Sequence, residues 1–206
     1  MQRIWYVAYG SNLSRERFRT YLQGGQPDGS GRNYPGCRDT SDPLDSFGLL
    51  IKGSVYFAGR STAWRAGMAF YDPEAPGKVA VRTYLITVEQ FVDVLAQETR
   101  RSPGMALDLA PAFSGQRYSN GVGGYPILVR LGACRGVPLV TFTRDWRSPL
   151  VAGGPDHCLP GGYGNWLARG PPVVMDANRS LSVNAAWGAA LREGRHQRRP
   201  CGSQCS

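Results

Sequence analysis

Ile4-Trp5-Tyr6-Val7-Ala8-Tyr9, then Gly10-Ser11-Asn12, then Leu13 to Leu22 is the stretch from which the rest of the chain is read. The first six residues are β-branched, aromatic or small, which predicts a strand, and the Gly-Ser-Asn triplet breaks it. In the segment that follows, Leu13, Phe18, Tyr21 and Leu22 share one side of a helix while Arg15, Glu16 and Arg19 face water. A strand that feeds a helix through so short a loop points successive backbone N–H groups at a helix N-terminus, where a carboxylate or phosphate is at home. Gly10 lets the backbone approach a ligand closely, and Ser11 or Asn12 can cap the helix while offering further donors. The same residues also fit a plain turn with an N-cap. They form neither a P-loop, for want of length and lysine, nor a nucleophile elbow, since Ser11 lacks flanking GxSxG glycines.

Downstream, Gly24 to Ser46 is rich in Gly, Pro, Asp and Ser and is expected to be a long surface connection. Strands are expected over Phe47–Ile51, Gly53–Phe57, Gly67–Phe70 and Val79–Ile86, and again over Tyr125–Leu131 and Pro138–Thr143, with Ala133–Gly136 as a hairpin turn between the last two. Thr87 to Arg100 is the clearest helix. Thr87 and Gln90 fit a capping box, and Val88, Phe91, Val92 and Leu95 form the i, i+3, i+4, i+7 stripe of a helix on a core. Glu89, Asp93, Gln97 and Arg100 are expected on its wet face.

Glu98 follows Leu95 by three and Phe91 by seven, so it continues the apolar stripe. A carboxylate there loses water and sits at the negative end of the helix dipole, and both effects push its pKa upward toward the range useful to a general acid/base. The alternative is a helix that frays at Glu98 and leaves the side chain solvated or paired with Arg101. Many strands with few helices in mixed order indicate an α+β fold, a small mixed sheet that closes or nearly closes into a barrel with flanking helices. Residues 1–170 are expected to form that domain. Residues 171–206 are expected to be a C-terminal extension, with a helix over Leu181–Glu193 and a mobile basic tail from Gly194.

With 42% hydrophobic and 19% charged residues in 206, the chain can bury a core and is not a disordered one. Its net charge of +9 rests almost wholly on arginine, since only Lys52 and Lys78 of the 24 basic residues are lysine. The arginines are scattered rather than gathered on one stripe, which argues against nucleic-acid binding as the main role. No run approaches the roughly 18 apolar residues of a membrane span, and no leader is evident at the N-terminus, so a cytoplasmic protein is expected. Cys37, Cys134, Cys158, Cys201 and Cys205 are odd in number and irregular in spacing, and with only His157 and His196 beside them neither a disulfide framework nor a metal-ligand set is expected.

Tyr6-Val7-Ala8-Tyr9-Gly10-Ser11-Asn12-Leu13 resembles the opening signature of the γ-glutamylcyclotransferase-like family. Trp64 to Phe70 (WRAGMAF) and Val79 to Ile86 resemble that family's next strands, and Gln97-Glu98 falls where the family keeps its catalytic glutamate. The resemblance covers roughly residues 4 to 145. Tyr34-Pro35-Gly36-Cys37-Arg38 and Phe70-Tyr71-Asp72-Pro73 resemble an actinobacterial-type branch. Two departures stand out: Thr99-Arg100-Arg101 replaces a glycine-containing loop after the helix, and the later substrate-contacting aromatic has no clear counterpart, with Trp146 and Tyr163 as the candidates.

The resemblance implies a small barrel with a pocket between the loop and Glu98. Tyr6, Val7, Ala8, Tyr9, Gly10, Ser11 and Asn12 would hold a γ-glutamyl group, and the substrate's α-amine would attack its own γ-carbonyl to release 5-oxoproline, with Glu98 as general acid/base. No cofactor or metal would be needed, and the molecule would act as a monomer or homodimer on a small-molecule γ-glutamyl substrate in the cytoplasm. Two other readings are a non-catalytic γ-glutamyl or carboxylate-binding module of the same fold, and a basic nucleic-acid-associated protein.

Overall fold

The computed structural model describes residues 1–27, 30–58 and 68–147, together with the backbone of a two-residue strand at 173–174. Strand β1 (Arg3–Ala8) is followed by a 3-10 turn (Ser11–Leu13) and helix α1 (Arg15–Gln23). Then come β2 (Asp45–Lys52), β3 (Ser54–Ala58), β4 (Met68–Asp72), β5 (Lys78–Thr87) and α2 (Val88–Glu98). The chain continues through α3 (Ala110–Ser114), β6 (Arg117–Ser119), β7 (Ile127–Cys134), β8 (Val137–Thr143) and β9 (Val173–Val174).

Seven strands form one mixed sheet in the order β6-β7-β8-β1-β5-β2-β9. At its centre β1 runs antiparallel to β5, with Trp5 opposite Leu85, and parallel to β8, with Trp5 opposite Leu139. This central place explains the unbroken apolar run from Ile4, because a strand covered on both faces needs no polar alternation. Ile4, Tyr6 and Ala8 point into a cluster with Phe18, Tyr21 and Leu22 of α1 and Phe91 and Leu95 of α2. Trp5, Val7 and Tyr9 point the other way, among Leu49, Ile51, Tyr71, Val81 and Leu139. The fold is α+β, as its element pattern predicts.

The barrel expected from the sequence does not close. Among the described residues β3 and β4 pair only with each other, as a separate two-stranded sheet, and β6 and β9 are the outer strands of the large one. Gly53 supplies part of the reason: it holds φ at +120° between β2 and β3, and a Cβ there would lie 2.4 Å from the Asp72 carbonyl oxygen, so the backbone turns where only glycine fits. Where β4 comes against β8, a side chain stands in for a ladder. The Thr143 hydroxyl accepts from the Tyr71 N–H at 2.9 Å and donates to the Tyr71 carbonyl at 2.8 Å.

Two further expectations need correction. The connection from Gly24 onward is not simply a surface loop, since Ser30, Tyr34 and Cys37 are buried and Gly25 and Tyr34 exchange backbone hydrogen bonds. It crosses α2 on the face expected to be wet. Asp93 and Gln97 are therefore fully buried: Asp93 accepts from the backbone N–H groups of Arg38 at 2.9 Å and Gly104 at 2.7 Å, and Gln97 binds Gly36 N and the Tyr21 carbonyl. β9, which falls in the stretch expected as a C-terminal extension, pairs in parallel with Leu49 and Leu50 of β2. The helix expected at Leu181–Glu193, the tail, Tyr163 and both histidines lie outside the described residues. No helix among those described is long and apolar enough to cross a membrane.

Candidate active site at the Asn12 and Glu98 junction

The Gly-Ser-Asn loop does not run directly into α1. A 3-10 turn intervenes, closed by Leu13 N on the Gly10 carbonyl and Ser14 N on the Ser11 carbonyl. Ser14, rather than Ser11 or Asn12, caps α1, its hydroxyl accepting from Arg17 N at 3.3 Å. Ser11 is thus left exposed, and Asn12 turns inward and is buried. The turn is tied to β5 by two bonds, from the Tyr84 hydroxyl to the Asn12 carbonyl at 2.8 Å and from Arg82 Nε to the Leu13 carbonyl at 2.9 Å. Gly10 has φ at −112°, and a Cβ on it would meet Ala69 only at an ordinary 3.5 Å, so the backbone conformation itself does not demand glycine.

Helix α2 arrives from the other side. Its N-terminus carries the capping box read from the sequence, with Gln90 N on the Thr87 hydroxyl at 3.1 Å and Thr87 N on Gln90 Oε1 at 3.0 Å. Its C-terminus closes with Arg101 N on the Ala96 carbonyl at 2.7 Å and Arg100 at φ +62°. Arg100 therefore occupies the left-handed position that a glycine usually takes after a helix, which accounts for the departure from a glycine loop here. Glu98 is the last helical residue and does not fray. Arg101 lies against the Met105 sulfur instead of against Glu98.

The two elements meet through one side chain. Asn12 Nδ2 donates to Glu98 Oε1 at 3.1 Å and to the Tyr6 hydroxyl at 3.2 Å. Asn12 Oδ1 is buried and has no partner among the described residues. Tyr6 is held by the rings of Phe18, Phe91 and Phe142, with centroids at 5.3 to 5.8 Å. Glu98 as a residue is only half-buried, yet its carboxyl lies deep in protein. That burial raises its pKa above the ordinary carboxylate value; the Arg17 charge, hydrogen bonds from Tyr21 and Asn12, and the Arg32 charge oppose the rise. The Tyr6 phenol is pushed well above its usual value by burial and then by Glu98, so it stays neutral beside the carboxylate.

The predicted site residues therefore divide. Tyr6, Asn12 and Glu98 come together. Ala8 shares their face, while the side chains of Val7 and Tyr9 lie across the sheet, Tyr9 donating to the Phe142 carbonyl at 2.8 Å. Gly10 and Ser11 remain at the edge of the group as backbone.

Several neighbours were not read from the sequence. Arg17 is buried with Nη2 donating to the hydroxyls of Tyr21 at 2.9 Å and Tyr34 at 2.7 Å, its guanidinium 4.5 and 4.4 Å from the two ring centroids. Its spacing of four from Tyr21 was the available signal. Tyr125 is an aromatic brought near the site from the loop before β7, its phenol pushed up first by burial and second by the Glu98 charge. Trp146, one of the two candidates for that role, lies against the Arg117 guanidinium instead. Among the described residues no group of three or more His, Cys, Asp or Glu side chains could hold a metal.

No family model matches the chain. Histone deacetylase 5 of Arabidopsis thaliana is similar to it, 37% identical over 99 residues, which is 46% of this chain but only 15% of that protein. No solved structure matches.

Proposed function

We propose that the chain is a γ-glutamylcyclotransferase-type enzyme that releases 5-oxoproline from a γ-glutamyl substrate, with Glu98 as general acid/base. The observation that carries this reading is the Asn12 side chain joining the loop strand at Tyr6 to a carboxyl of raised pKa at Glu98. The resemblance of the Tyr9-Gly10-Ser11-Asn12 loop and of Gln97-Glu98 to that family supports it.

The chemistry follows from what each group can do. The substrate's α-ammonium gives a proton to ionised Glu98, and Asn12 Oδ1 supplies a second acceptor for the ammonium's remaining N–H bonds. The freed amine attacks the γ-carbonyl carbon, closing a five-membered ring through a new C–N bond. The tetrahedral centre collapses as the bond to the leaving nitrogen breaks, with Glu98 returning its proton to that nitrogen. Glu98 then takes the second proton that the ring nitrogen sheds on becoming the lactam N–H and passes it to the released amine. Two protons thus leave the α-nitrogen, both end on the released ammonium, and Glu98 is ionised again. Because nucleophile and electrophile belong to one molecule, fixing the γ-glutamyl arm in its folded conformer supplies much of the rate. A carboxyl raised by burial is well matched to taking and returning a proton near neutral pH.

The test is 5-oxoproline release from a panel of γ-glutamyl amino acids and γ-glutamyl amines, comparing the wild type with Glu98→Gln. Release from the wild type and a loss of about 100-fold or more in the variant is the expected result. Equal release by both proteins removes Glu98 from the mechanism. Binding without release by the wild type turns the reading into a γ-glutamyl-binding module.

A further inference from the structure

The buried Tyr6 hydroxyl is only half used. Its oxygen accepts from Asn12 Nδ2 at 3.2 Å, while no described residue accepts its proton. The direction of that bond is fixed by the second Nδ2 hydrogen, which goes to Glu98 Oε1 at 3.1 Å. An ionised carboxylate only accepts, so Asn12 must turn its NH2 toward Glu98 and Tyr6, and the Tyr6 O–H points elsewhere. A buried hydroxyl proton without an acceptor is costly, and a ligand oxygen in the site would remove that cost.

The hydroxyl is also held still and poised to donate. Tyr6 lies in β1 opposite Tyr84 of β5 and Val140 of β8, and its ring packs against those of Phe18, Phe91 and Phe142. Accepting from Asn12 polarises the phenol and strengthens its own O–H as a donor. Burial, and then the neighbouring Glu98 charge, hold the phenol well above its usual pKa, so the proton stays on. Around Asn12 the site thus offers Glu98 as base, Asn12 Oδ1 as acceptor and Tyr6 as a neutral donor. The reaction proposed above draws on the first two. Its tetrahedral centre calls for the third, because negative charge develops on the γ-carbonyl oxygen as the amine adds.

We infer that Tyr6 is a catalytic residue whose hydroxyl donates to the γ-carbonyl oxygen and stabilises the oxyanion that forms there. This rests on the cyclotransferase reading. As the amine nitrogen bonds to the γ-carbon, the carbonyl π pair moves onto the oxygen, which takes the Tyr6 hydrogen bond and leaves the proton on the phenol. When the bond to the leaving nitrogen breaks, the pair returns and the lactam carbonyl forms. Tyr6 ends as it began, and the protons carried by Glu98 follow their own route.

The test is Tyr6→Phe in the full chain, which keeps the ring and removes the hydroxyl, on the γ-glutamyl compound that the wild type turns over fastest. A donor used mainly in the transition state is expected to show as a fall of roughly 100- to 1000-fold in kcat with KM within a few-fold. The pH limb set by Glu98 should stay where it is, since a neutral phenol contributes the same at each pH. A kcat within a few-fold of the wild type overturns the assignment. So does a loss accompanied by a limb moved to higher pH, which would mean that Tyr6 only holds Asn12 on the carboxylate. Folding is separated by a second comparison, the same compound against its γ-thioamide, whose sulfur is a poor hydrogen-bond acceptor. The amide-to-thioamide ratio within each protein does not depend on how much of it is folded. It should be larger in the wild type than in Tyr6→Phe by about tenfold or more, and equal ratios overturn the assignment. Release by the wild type without a Tyr6 effect ends this inference alone, whereas no release from any compound ends the cyclotransferase reading and this inference with it.

Discussion

Asn12 and Glu98 lie 86 residues apart in the chain and 3.1 Å apart in space, and their hydrogen bond joins the first loop to the end of the second long helix. Asn12 is set by its 3-10 turn and by Tyr84 on its carbonyl, Glu98 by the capped and fully packed helix behind it. Neither side chain depends on the other for its backbone position. The contact is therefore a junction between two rigid elements, the condition under which a catalytic group keeps its geometry.

Removal of that junction is the first prediction. Asn12→Ala leaves the Tyr6 hydroxyl and Glu98 Oε1 without their shared donor and should cost about 1–3 kcal/mol of stability, read by urea denaturation. Loss of a hydrogen bond to a charged group of that size corresponds to a fall of roughly 10- to 100-fold in 5-oxoproline release. A variant that keeps full activity while losing stability would show that Asn12 only supports the fold.

The raised Glu98 pKa gives two pH signatures. As the proposed base it would work ionised, so kcat/KM should rise with pH along a limb above the ordinary carboxylate range, and Arg17→Met, which removes the leading opposing charge, should move that limb higher. Stability runs the opposite way. The folded state holds this proton more tightly than the unfolded chain does, so the carboxyl contributes stability that is full below its unfolded pKa and lost as pH rises through its folded value. Glu98→Gln should therefore match the wild type in acid and equal or exceed its melting temperature at neutral pH, as thermal melts across that window would show.

Asp93 carries a structural prediction separate from catalysis. Its buried carboxylate gathers Arg38 N, Gly104 N and the Arg38 guanidinium, and so fixes both the connection before β2 and the loop after α2. Asp93→Ala should cost roughly 2–3 kcal/mol, because charge-assisted bonds to the backbone are lost. Arg38→Ala, which removes only the largely exposed partner, should cost far less than Asp93→Ala in the same denaturation experiment.

The legible parts of the sequence were those where pattern and environment agree. The strand from Ile4, the strands now seen as β2 to β5, β7 and β8, and the capped helix over Val88–Glu98 all follow from local periodicity and turn chemistry. Asp93 and Gln97 were misread because periodicity knows only one partner for a helix, and here a second one, the connection over residues 36–39, covers the polar side and satisfies it with backbone donors. The absence of barrel closure was hidden for a similar reason, since strand count says nothing about a glycine turn at Gly53 or a threonine hydroxyl standing in for a ladder. Arg17 and Arg32 escaped notice because arginine is ordinarily a surface residue, and only the tertiary approach of Tyr34 gives these two a shared site. Glu98 was readable as an anomaly in its stripe, whereas its bond to Asn12 required the fold.

Gly36 provides the last prediction, and it tests whether the connection that carries Tyr34 and Arg32 matters to the site. Its φ is +87°, and a Cβ would fall 2.8 Å from Gly24 N, which is backbone and cannot swing aside. Its own N–H is held by Gln97 Oε1 at 3.2 Å, so the residue is pinned between α1 and α2. Gly36→Ala combines a left-handed backbone penalty of about 1–3 kcal/mol with that clash, and the connection must lift to relieve it. Lifting moves Tyr34 away from Arg17 and takes Arg32 with it, while Asn12 and Glu98, held by other elements, stay in place. The variant should therefore lose stability in urea denaturation, yet keep 5-oxoproline release within a few-fold of the wild type. A much larger loss of release would mean that the connection also supports Glu98, through Arg17.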